Sequence, residues 1–222
     1  MSEYDSLLRD LASLQAEISL DKRHVYRYRG SYRPGVTTVI HTLDAPALDR
    51  WKVRVQVEGT ARAAYVNPRM PGETEEIYIA RLVAAADEYE HERQSKAAAD
   101  VGSQVHALIE HEVRVMLSEP SERPEAGEEA LFRFAGWRQW AEAVKLQPLS
   151  AEARVIHPIL DFAGTVDLLA LVEGKLTVID NKPTDTVYDE RKLQLAAYAG
   201  ALEAMGWPRM AQGIVCLPRE GG

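Results

Sequence analysis

The sequence of 222 residues contains a single cysteine, Cys216. One thiol excludes an internal disulfide framework, and it excludes a zinc or iron–sulfur site built from four cysteines. No apolar stretch is long enough to span a bilayer, and no signal peptide opens the chain. These absences favour a cytoplasmic protein with no membrane partner.

Positive charge is also scarce, since 26 lysines and arginines stand against 34 acidic residues and give a net charge of −8. That balance argues against a uniformly basic nucleic-acid-binding surface. The acidic residues are concentrated between Glu73 and Glu129, however, and the N-terminal third is mildly basic. An acidic protein can still contain a basic channel, so the net charge does not exclude a DNA substrate.

Residues 164–182 form the most informative stretch, because two apolar runs flank Glu173-Gly174. This pattern predicts a β-hairpin with a tight turn. With a loop of these two residues, Val172 faces Lys175 across the hairpin. The rest of the register follows by counting outward from that pair.

The predicted register places Asp167 directly opposite Asp180, with their Cβ atoms roughly 4.5–5.5 Å apart. Two carboxylates at that spacing repel each other unless a cation such as Mg²⁺ lies between them. Side chains alternate along a strand, so Lys182 shares the face of Asp180. This set can bind a metal and stabilise the negative charge of a phosphodiester under attack. The alternative is that both acids are ordinary solvated residues near strand ends.

Two further motifs flank the hairpin. Gly102 and His106 form a G-x-x-x-H pattern in a predicted helix, and Gln194 and Tyr198 form a Q-x-x-x-Y pattern in another. An acid, then D-x-K after an apolar strand, resembles the PD-(D/E)XK nuclease superfamily. The two helical motifs resemble those of its RecB-like branch, and a weaker similarity to phage-type exonucleases of that branch lies within residues 36–51.

The resemblance implies an α/β fold with a restriction-endonuclease-like core, in which helices flank a mixed central sheet, and an N-terminal helical region. It also implies a deoxyribonuclease that uses one or two Mg²⁺ or Mn²⁺ ions. The implied metal ligands are His106, Asp167, Asp180, the backbone carbonyl of Asn181, and Glu152 as the upstream acid. Lys182 is the implied catalytic cation. Gln194 and Tyr198 are expected either to contact DNA or orient Lys182, or only to pack on the sheet.

Hydrophobic periodicity and turn residues predict the elements. Helices are expected at 4–18, 47–65, 73–92, 95–117, 128–144 and 188–205. Strands are expected at 22–33, 151–158, 162–172, 175–182 and 211–217. We divide the chain into a mostly helical region, 1–148, and a core-sheet region, 149–222, within one structural domain. The apolar residues expected on the buried face of helix 128–144 are Leu131, Phe132, Phe134, Trp137, Trp140 and Ala141.

Residues 22–33 alternate arginine with tyrosine, which suits phosphate pairing and base stacking. An edge strand protected by charges would look the same. Two threonines in the next segment could bind phosphate or cap a helix, and capping is the safer expectation. Together the candidate DNA contacts are Arg27, Arg29, Arg33, Thr37, Thr38 and Thr184.

The resemblance favours an exonuclease that acts on DNA with a free end, in phage or bacterial recombination or end processing. A recombination or single-strand-binding protein would be a natural partner. The chain departs from the family pattern at Asn181, which is usually apolar, and at Pro183, which is usually threonine. A degenerate DNA-binding accessory protein and a site-specific endonuclease therefore stay open as alternatives. The chain ends at Gly221-Gly222 with no helix after the last strand, which suggests a missing C-terminal segment.

Overall fold

The chain divides into two units. Unit 1 comprises Met1–Leu43 and Val101–Gly222, and unit 2 comprises Asp44–Asp100. The computed structural model describes residues 4–42, 46–87, 91–184 and 189–218. All the motif residues named above belong to unit 1. The sequence-based division at residue 148 stays a prediction.

Seven helices and seven strands are described; most correspond to predicted elements, whereas the short helix at 36–40 and the short strand at 18–20 were not predicted. The helices are α1 (Asp5–Glu17), α2 (Val36–Ile40), α3 (Pro46–Val66), α4 (Glu75–Asp87), α5 (His91–Met116), α6 (Glu128–Ala143) and α7 (Asp189–Ala204). The strands are β1 (Ile18–Leu20), β2 (Tyr26–Tyr28), β3 (Ser31–Arg33), β4 (Gln147–Ile156), β5 (Ala163–Val172), β6 (Lys175–Lys182) and β7 (Ala211–Cys216). Residues 88–90 and Tyr188, which were assigned to predicted helices, lie outside the described residues. No helix in the described ranges is both long and apolar enough to cross a membrane.

A mixed four-stranded sheet forms the centre of unit 1, in the order β4-β5-β6-β7. The first three strands are antiparallel neighbours, and β7 runs parallel to β6. Glu173 and Gly174 have φ angles of 50° and 78°, the left-handed pair that a two-residue hairpin turn requires. The observed pairs run from Val172/Lys175 to Leu168/Ile179 and confirm the predicted register. The next pair in that register is Asp167 with Asp180.

Helices cover both faces of this sheet, as the predicted fold class requires. On one face, Val178 packs with Leu195 and Leu202 of α7. On the other face, Ile179 packs with Trp137 of α6 and with buried residues of α5. Successive residues of β6 therefore face opposite layers, and both layers are apolar. A charged side chain in the middle of β6 therefore lies against an apolar layer, where it is costly without a partner.

The segment predicted as one strand, residues 22–33, is a hairpin. β2 and β3 pair antiparallel and are joined by Arg29 and Gly30, whose φ angles of 50° and 79° reverse the chain. The Arg-Gly turn signal was missed because the Tyr/Arg alternation continues through it. Tyr26 of this hairpin is buried, and its hydroxyl lies 2.9 Å from Thr165 Oγ1 on β5. The small sheet is thereby joined to the core.

The buried face of α6 differs from the prediction at two residues. Leu131 is 39% exposed and Phe132 is 45% exposed. The buried positions follow helical spacing instead. They are Ala130, Arg133, Phe134, Trp137 and Ala141. The prediction was wrong because it ranked residues by hydrophobicity, whereas the helix phase places an arginine in the buried row.

We expect Gly164→Ala to destabilise the fold, because a Cβ there would lie 2.4 Å from Cε1 of Tyr198 and 3.2 Å from Cγ2 of Val36. Tyr198 is only 4% exposed, so its ring has little room to move. Overpacking of this kind costs about 1–3 kcal/mol of unfolding free energy. Thermal unfolding should show a lower midpoint for Gly164→Ala.

Gly200→Ala is the matched control, because it lies on α7 with no atom within 4 Å of its added Cβ. Alanine at that helical position should be neutral or stabilising by about 0.5–1 kcal/mol. Equal midpoints for Gly164→Ala and the wild type would contradict the close packing of Tyr198.

Candidate metal centre and active site

Three potential metal ligands come together: His106 from α5, Glu152 from β4 and Asp167 from β5. One ligand atom from each lies within 4.8 Å of the other two. Nδ1 of His106 is 3.6 Å from Oδ2 of Asp167. Each of these residues is partly buried, so the site is reachable from solvent. One imidazole nitrogen and two carboxylates form a donor set suited to Mg²⁺ or Mn²⁺.

Glu152 reaches this site through an irregular position in β4. Its neighbours Ala151 and Ala153 pair with Leu168 and Val166, which places Glu152 beside Asp167. Its φ angle is +47°, a left-handed conformation that is unfavourable for a residue with a side chain. Burial, followed by the negative charge of Asp167, raises the pKa of Glu152 to about 8. The backbone therefore holds an acid where a carboxylate is costly unless a cation is present.

Asp180 is the buried acid of the site, with a side chain 1% exposed. Its Oδ1 lies 2.8 Å from Nζ of Lys182, and its Oδ2 has no hydrogen-bond partner in the described part of the chain. Burial, and then the charge of Asp167, raises the pKa of Asp180. A buried carboxylate oxygen without a partner is costly. Asp180 is not one of the three residues whose ligand atoms cluster, but it lies next to that cluster.

Asn181 joins the site to the core. Its backbone N–H donates to Oδ2 of Asp167 at 2.9 Å. Its side chain points to the opposite face, as predicted, where Oδ1 accepts a hydrogen bond of 3.1 Å from Nε1 of Trp137. The unusual polar residue is thus satisfied in the core and does not crowd the metal ligands. The orienting contact to Asp167 was missed from the sequence, and the role of the Asn181 carbonyl as a ligand stays a prediction.

Gln194 and Tyr198 both lie on α7 and point to the face of the sheet that this helix covers. Nε2 of Gln194 donates to the Tyr198 hydroxyl at 2.8 Å, and both side chains are buried. Burial raises the pKa of Tyr198, so the hydroxyl stays protonated at neutral pH. Arg191 hydrogen-bonds Oε1 of Gln194 at 3.3 Å, and its charge acts to lower the pKa of Asp180. Arg191 was also missed, although its i, i+3 spacing from Gln194 is visible in the sequence.

An open cavity of ≈ 450 Å³ borders Glu152. Glu110 and Arg114 line it and form an ion pair of 2.8 Å, and Glu119 also pairs with Arg114. Glu110 is thus held by Arg114. Nδ1 of His111, on the same helix as His106, lies 3.0 Å from the Ser121 hydroxyl.

The nature of this site is decided by a match to a known family. Residues 76–219 match the model of the PD-(D/E)XK nuclease superfamily, and this span covers well over half of the chain. The chain belongs to the PD-(D/E)XK nuclease superfamily. The match includes every residue of the metal centre, the Asp180–Lys182 pair and α7. No curated protein matches the sequence.

Membership confirms the predicted fold class, because the mixed sheet with flanking helices is consistent with the PD-(D/E)XK fold. Nucleases of this superfamily typically use a divalent metal, and the family implies a DNA substrate. The site fits such an ion: three donors converge, and the nearest buried acid has an oxygen without a partner. The RecB-like branch was predicted from the helical motifs and stays a prediction.

The candidate DNA contacts of this PD-(D/E)XK protein are placed as follows. Arg27 is exposed, whereas Arg29 pairs with Glu17 and Arg33 pairs with Asp161. Their roles in DNA binding stay predictions, with two of the three arginines already bonded within the chain.

The threonine candidates lie in other settings. Thr37 and Thr38 are exposed within α2, and the N-cap of that helix is Gly35, without a side-chain cap bond. Neither threonine caps this unpredicted helix, because it begins one residue before Thr37 and both lie inside it. Thr184 follows β6 and is half-buried. Binding of phosphate by these threonines stays a prediction.

Proposed function

We propose that this PD-(D/E)XK protein is a metal-dependent DNA exonuclease of the RecB-like branch, acting on DNA ends in recombination or repair. The observation that carries the proposal is the convergence of His106, Glu152 and Asp167 beside the buried Asp180–Lys182 pair. A buried acid and lysine next to an acidic, partly exposed donor set suit hydrolysis of a charged ester. The exonuclease assignment is supported by the G-x-x-x-H and Q-x-x-x-Y motifs.

The donor atoms that converge at the site indicate which residues would hold the metal. His106, Glu152 and Asp167 would hold the ion, and we assign Asp180 and the Asn181 carbonyl as further ligands. When bound, a divalent cation supplies a Lewis acid that offsets phosphate charge and makes a coordinated water more acidic. An imidazole ligand favours Mn²⁺ over Mg²⁺ in affinity. The N–H of Asn181 keeps Oδ2 of Asp167 oriented toward His106.

Lys182 supplies the positive charge of the chain itself. Its side chain is 15% exposed, and its ammonium group is held 2.8 Å from Asp180, so it is fixed before substrate arrives. A fixed charge stabilises the negative charge that builds up on a phosphodiester in the transition state, and no reorganisation is needed at that moment. Asp180 holds the ammonium group in place. Lys182 is therefore the residue of this chain that acts on the reacting phosphate.

Gln194 and Tyr198 form a fixed, hydrogen-bonded pair of polar side chains beside the Asp180–Lys182 pair. The Tyr198 hydroxyl keeps its proton, so it can hydrogen-bond but cannot serve as a base at neutral pH. Gln194 accepts from Arg191 and donates to Tyr198, so all three side chains are held together. We assign this group to positioning of DNA or of Lys182.

The test is digestion of end-labelled linear DNA and of covalently closed circular DNA with Mn²⁺, with Mg²⁺ or with EDTA. We expect metal-dependent loss of the linear molecule alone, and the label that is released first gives the polarity. The circle distinguishes an exonuclease from an endonuclease because it has no ends, and EDTA is the control for metal dependence.

Two other outcomes would change the assignment. Cleavage of the closed circle would identify an endonuclease, since an exonuclease needs an end. No cleavage with either metal would contradict the proposal and favour a DNA-binding protein with a degenerate nuclease core.

A further inference from the structure

Arg133 is a buried cation that the proposed chemistry does not use. It lies in the middle of the buried row of α6, and its side chain is 3% exposed. A guanidinium group removed from water is costly unless its donors find acceptors. The buried guanidinium therefore needs hydrogen-bond acceptors, and its acceptors lie next to the active site.

The guanidinium of Arg133 joins the ends of two strands. Its Nη1 donates to the carbonyl of Pro183 at 2.5 Å and to the carbonyl of Leu217 at 2.9 Å. Its Nη2 donates to Oε1 of Glu129 at 2.6 Å. Pro183 directly follows Lys182, and Leu217 follows the last residue of β7. Arg133 thus holds α6 against the point where β6 and β7 both end.

The Pro183 carbonyl lies where the hydrogen-bond ladder of β6 stops. Proline has no N–H, so β6 cannot extend its hydrogen-bond ladder through this residue. The ladder ends one residue earlier, where the N–H of Leu217 donates to the carbonyl of Lys182 at 2.9 Å. On the other side, a Cβ added at Gly102 would lie 3.3 Å from Cγ of Pro183. Pro183 is therefore approached by α5 on one side and by Arg133 on the other.

We propose that Arg133 is a positioning residue for catalysis: by fixing the backbone that follows Lys182, it sets where the Lys182 ammonium group lies. This inference rests on the proposed nuclease function and adds a residue to it. Arg133 bonds the carbonyl directly after Lys182, and through Leu217 it is bonded to the Lys182 carbonyl as well. The three clustered metal donors, His106, Glu152 and Asp167, lie on α5, β4 and β5, whereas Arg133 bonds the backbone where β6 and β7 end, after Asp180 and Asn181. Misplacement of a catalytic group by about 1 Å can cost on the order of 10²-fold in rate.

The test compares Arg133→Met and Arg133→Lys with Arg138→Met, a matched control on the same helix. The Arg138 side chain is 63% exposed, and it pairs with Glu112 rather than with the sheet. For each variant we would measure kcat and KM for DNA cleavage, Mn²⁺ affinity by titration calorimetry, and folding by circular dichroism. The control should match the wild type in all of these.

We expect Arg133→Met to lose on the order of 10²-fold in kcat with KM and Mn²⁺ affinity near wild type. Arg133→Lys keeps a cation and one hydrogen bond, so it should recover part of the rate. If Arg133 were needed only for folding, its substitution would lower the amount of active protein and the Mn²⁺ affinity together. The value of kcat per binding site would then be unchanged.

Three results would overturn the inference. In the first, folded Arg133 variants cleave at the wild-type rate. In the second, both variants lose Mn²⁺ affinity in parallel with activity. In the third, neither variant folds, and Arg133 is then a folding residue only. A wild-type protein that cleaves no DNA with Mn²⁺ or Mg²⁺ is a separate result, which refutes the proposed function and this inference with it.

Discussion

We expect Lys182→Ala to lower the rate of the proposed metal-dependent DNA cleavage by on the order of 10³-fold, with Mn²⁺ affinity near wild type. The expectation follows from the position of the ammonium group, which is fixed by Asp180 beside the metal ligands but is not itself a ligand. Loss of a pre-positioned charge removes stabilisation that exists mainly in the transition state. Single-turnover cleavage of labelled linear DNA measures the effect on the chemical step.

The fold should survive this substitution. Removal of Lys182 leaves Asp180 buried without its cation, and a buried charge without a partner is strongly destabilising. The pKa of Asp180 is already raised by burial and by Asp167, so the acid can take up a proton instead. Circular dichroism should therefore show a folded protein.

Lys175→Ala is the control, because Lys175 lies on the same strand at the exposed end of β6. It should cleave like the wild type. Full activity of Lys182→Ala would remove Lys182 from the catalytic residues and, with it, the central step of the proposed function.

The metal-free protein should lose stability as the pH rises from about 4.5 to 8. Glu152 has a pKa of about 8 in the folded chain against an ordinary value of 4.5. Between these values the folded state keeps a proton that the unfolded state releases, so rising pH favours unfolding. Below pH 4.5 both states are protonated, and the contribution of Glu152 is fully present. At about 1.4 kcal/mol for each pKa unit, the loss is on the order of 4 kcal/mol.

Urea unfolding at a series of pH values in EDTA measures this slope. Glu152→Gln is the informative variant, because its amide resembles the protonated acid and does not titrate, so its slope over this range should be flatter. Mn²⁺ should stabilise the wild type more at pH 8 than at pH 5, since the cation competes with protons for the same carboxylates. A wild-type slope equal to that of Glu152→Gln would show that Glu152 is an ordinary exposed acid.

The hairpin was predictable because its signals are local. Glu173-Gly174 fixed the turn, the turn fixed the register, and the register brought Asp167 and Asp180 together. His106 and Tyr198 could be named only through motifs, since nothing local in the sequence indicates which distant elements they approach. The sequence therefore predicted most of the site by two different routes.

Glu152 and Arg133 show where sequence reasoning stops. The sequence of β4 does not show that Glu152 has a left-handed backbone, since its φ angle of +47° departs from the extended conformation expected of a strand residue. Arg133 occupies the buried row of α6, but an arginine in a helix is normally solvated. Its acceptors are carbonyls of Pro183 and Leu217, which come near it only in the folded chain.

The strand order bears on the sequence in which the strands pair during folding. β4, β5 and β6 form a meander of adjacent antiparallel strands, whereas β7 joins β6 only after the crossover through α7. Local pairings close short loops and form early, and the parallel pairing closes a longer one. We therefore expect Glu152, Asp167 and Asp180 to come together in the first part of the sheet to assemble, before α7 and β7 cover it. Repulsion among the three acids opposes that early step, so we expect refolding to be faster with a divalent cation present than in EDTA.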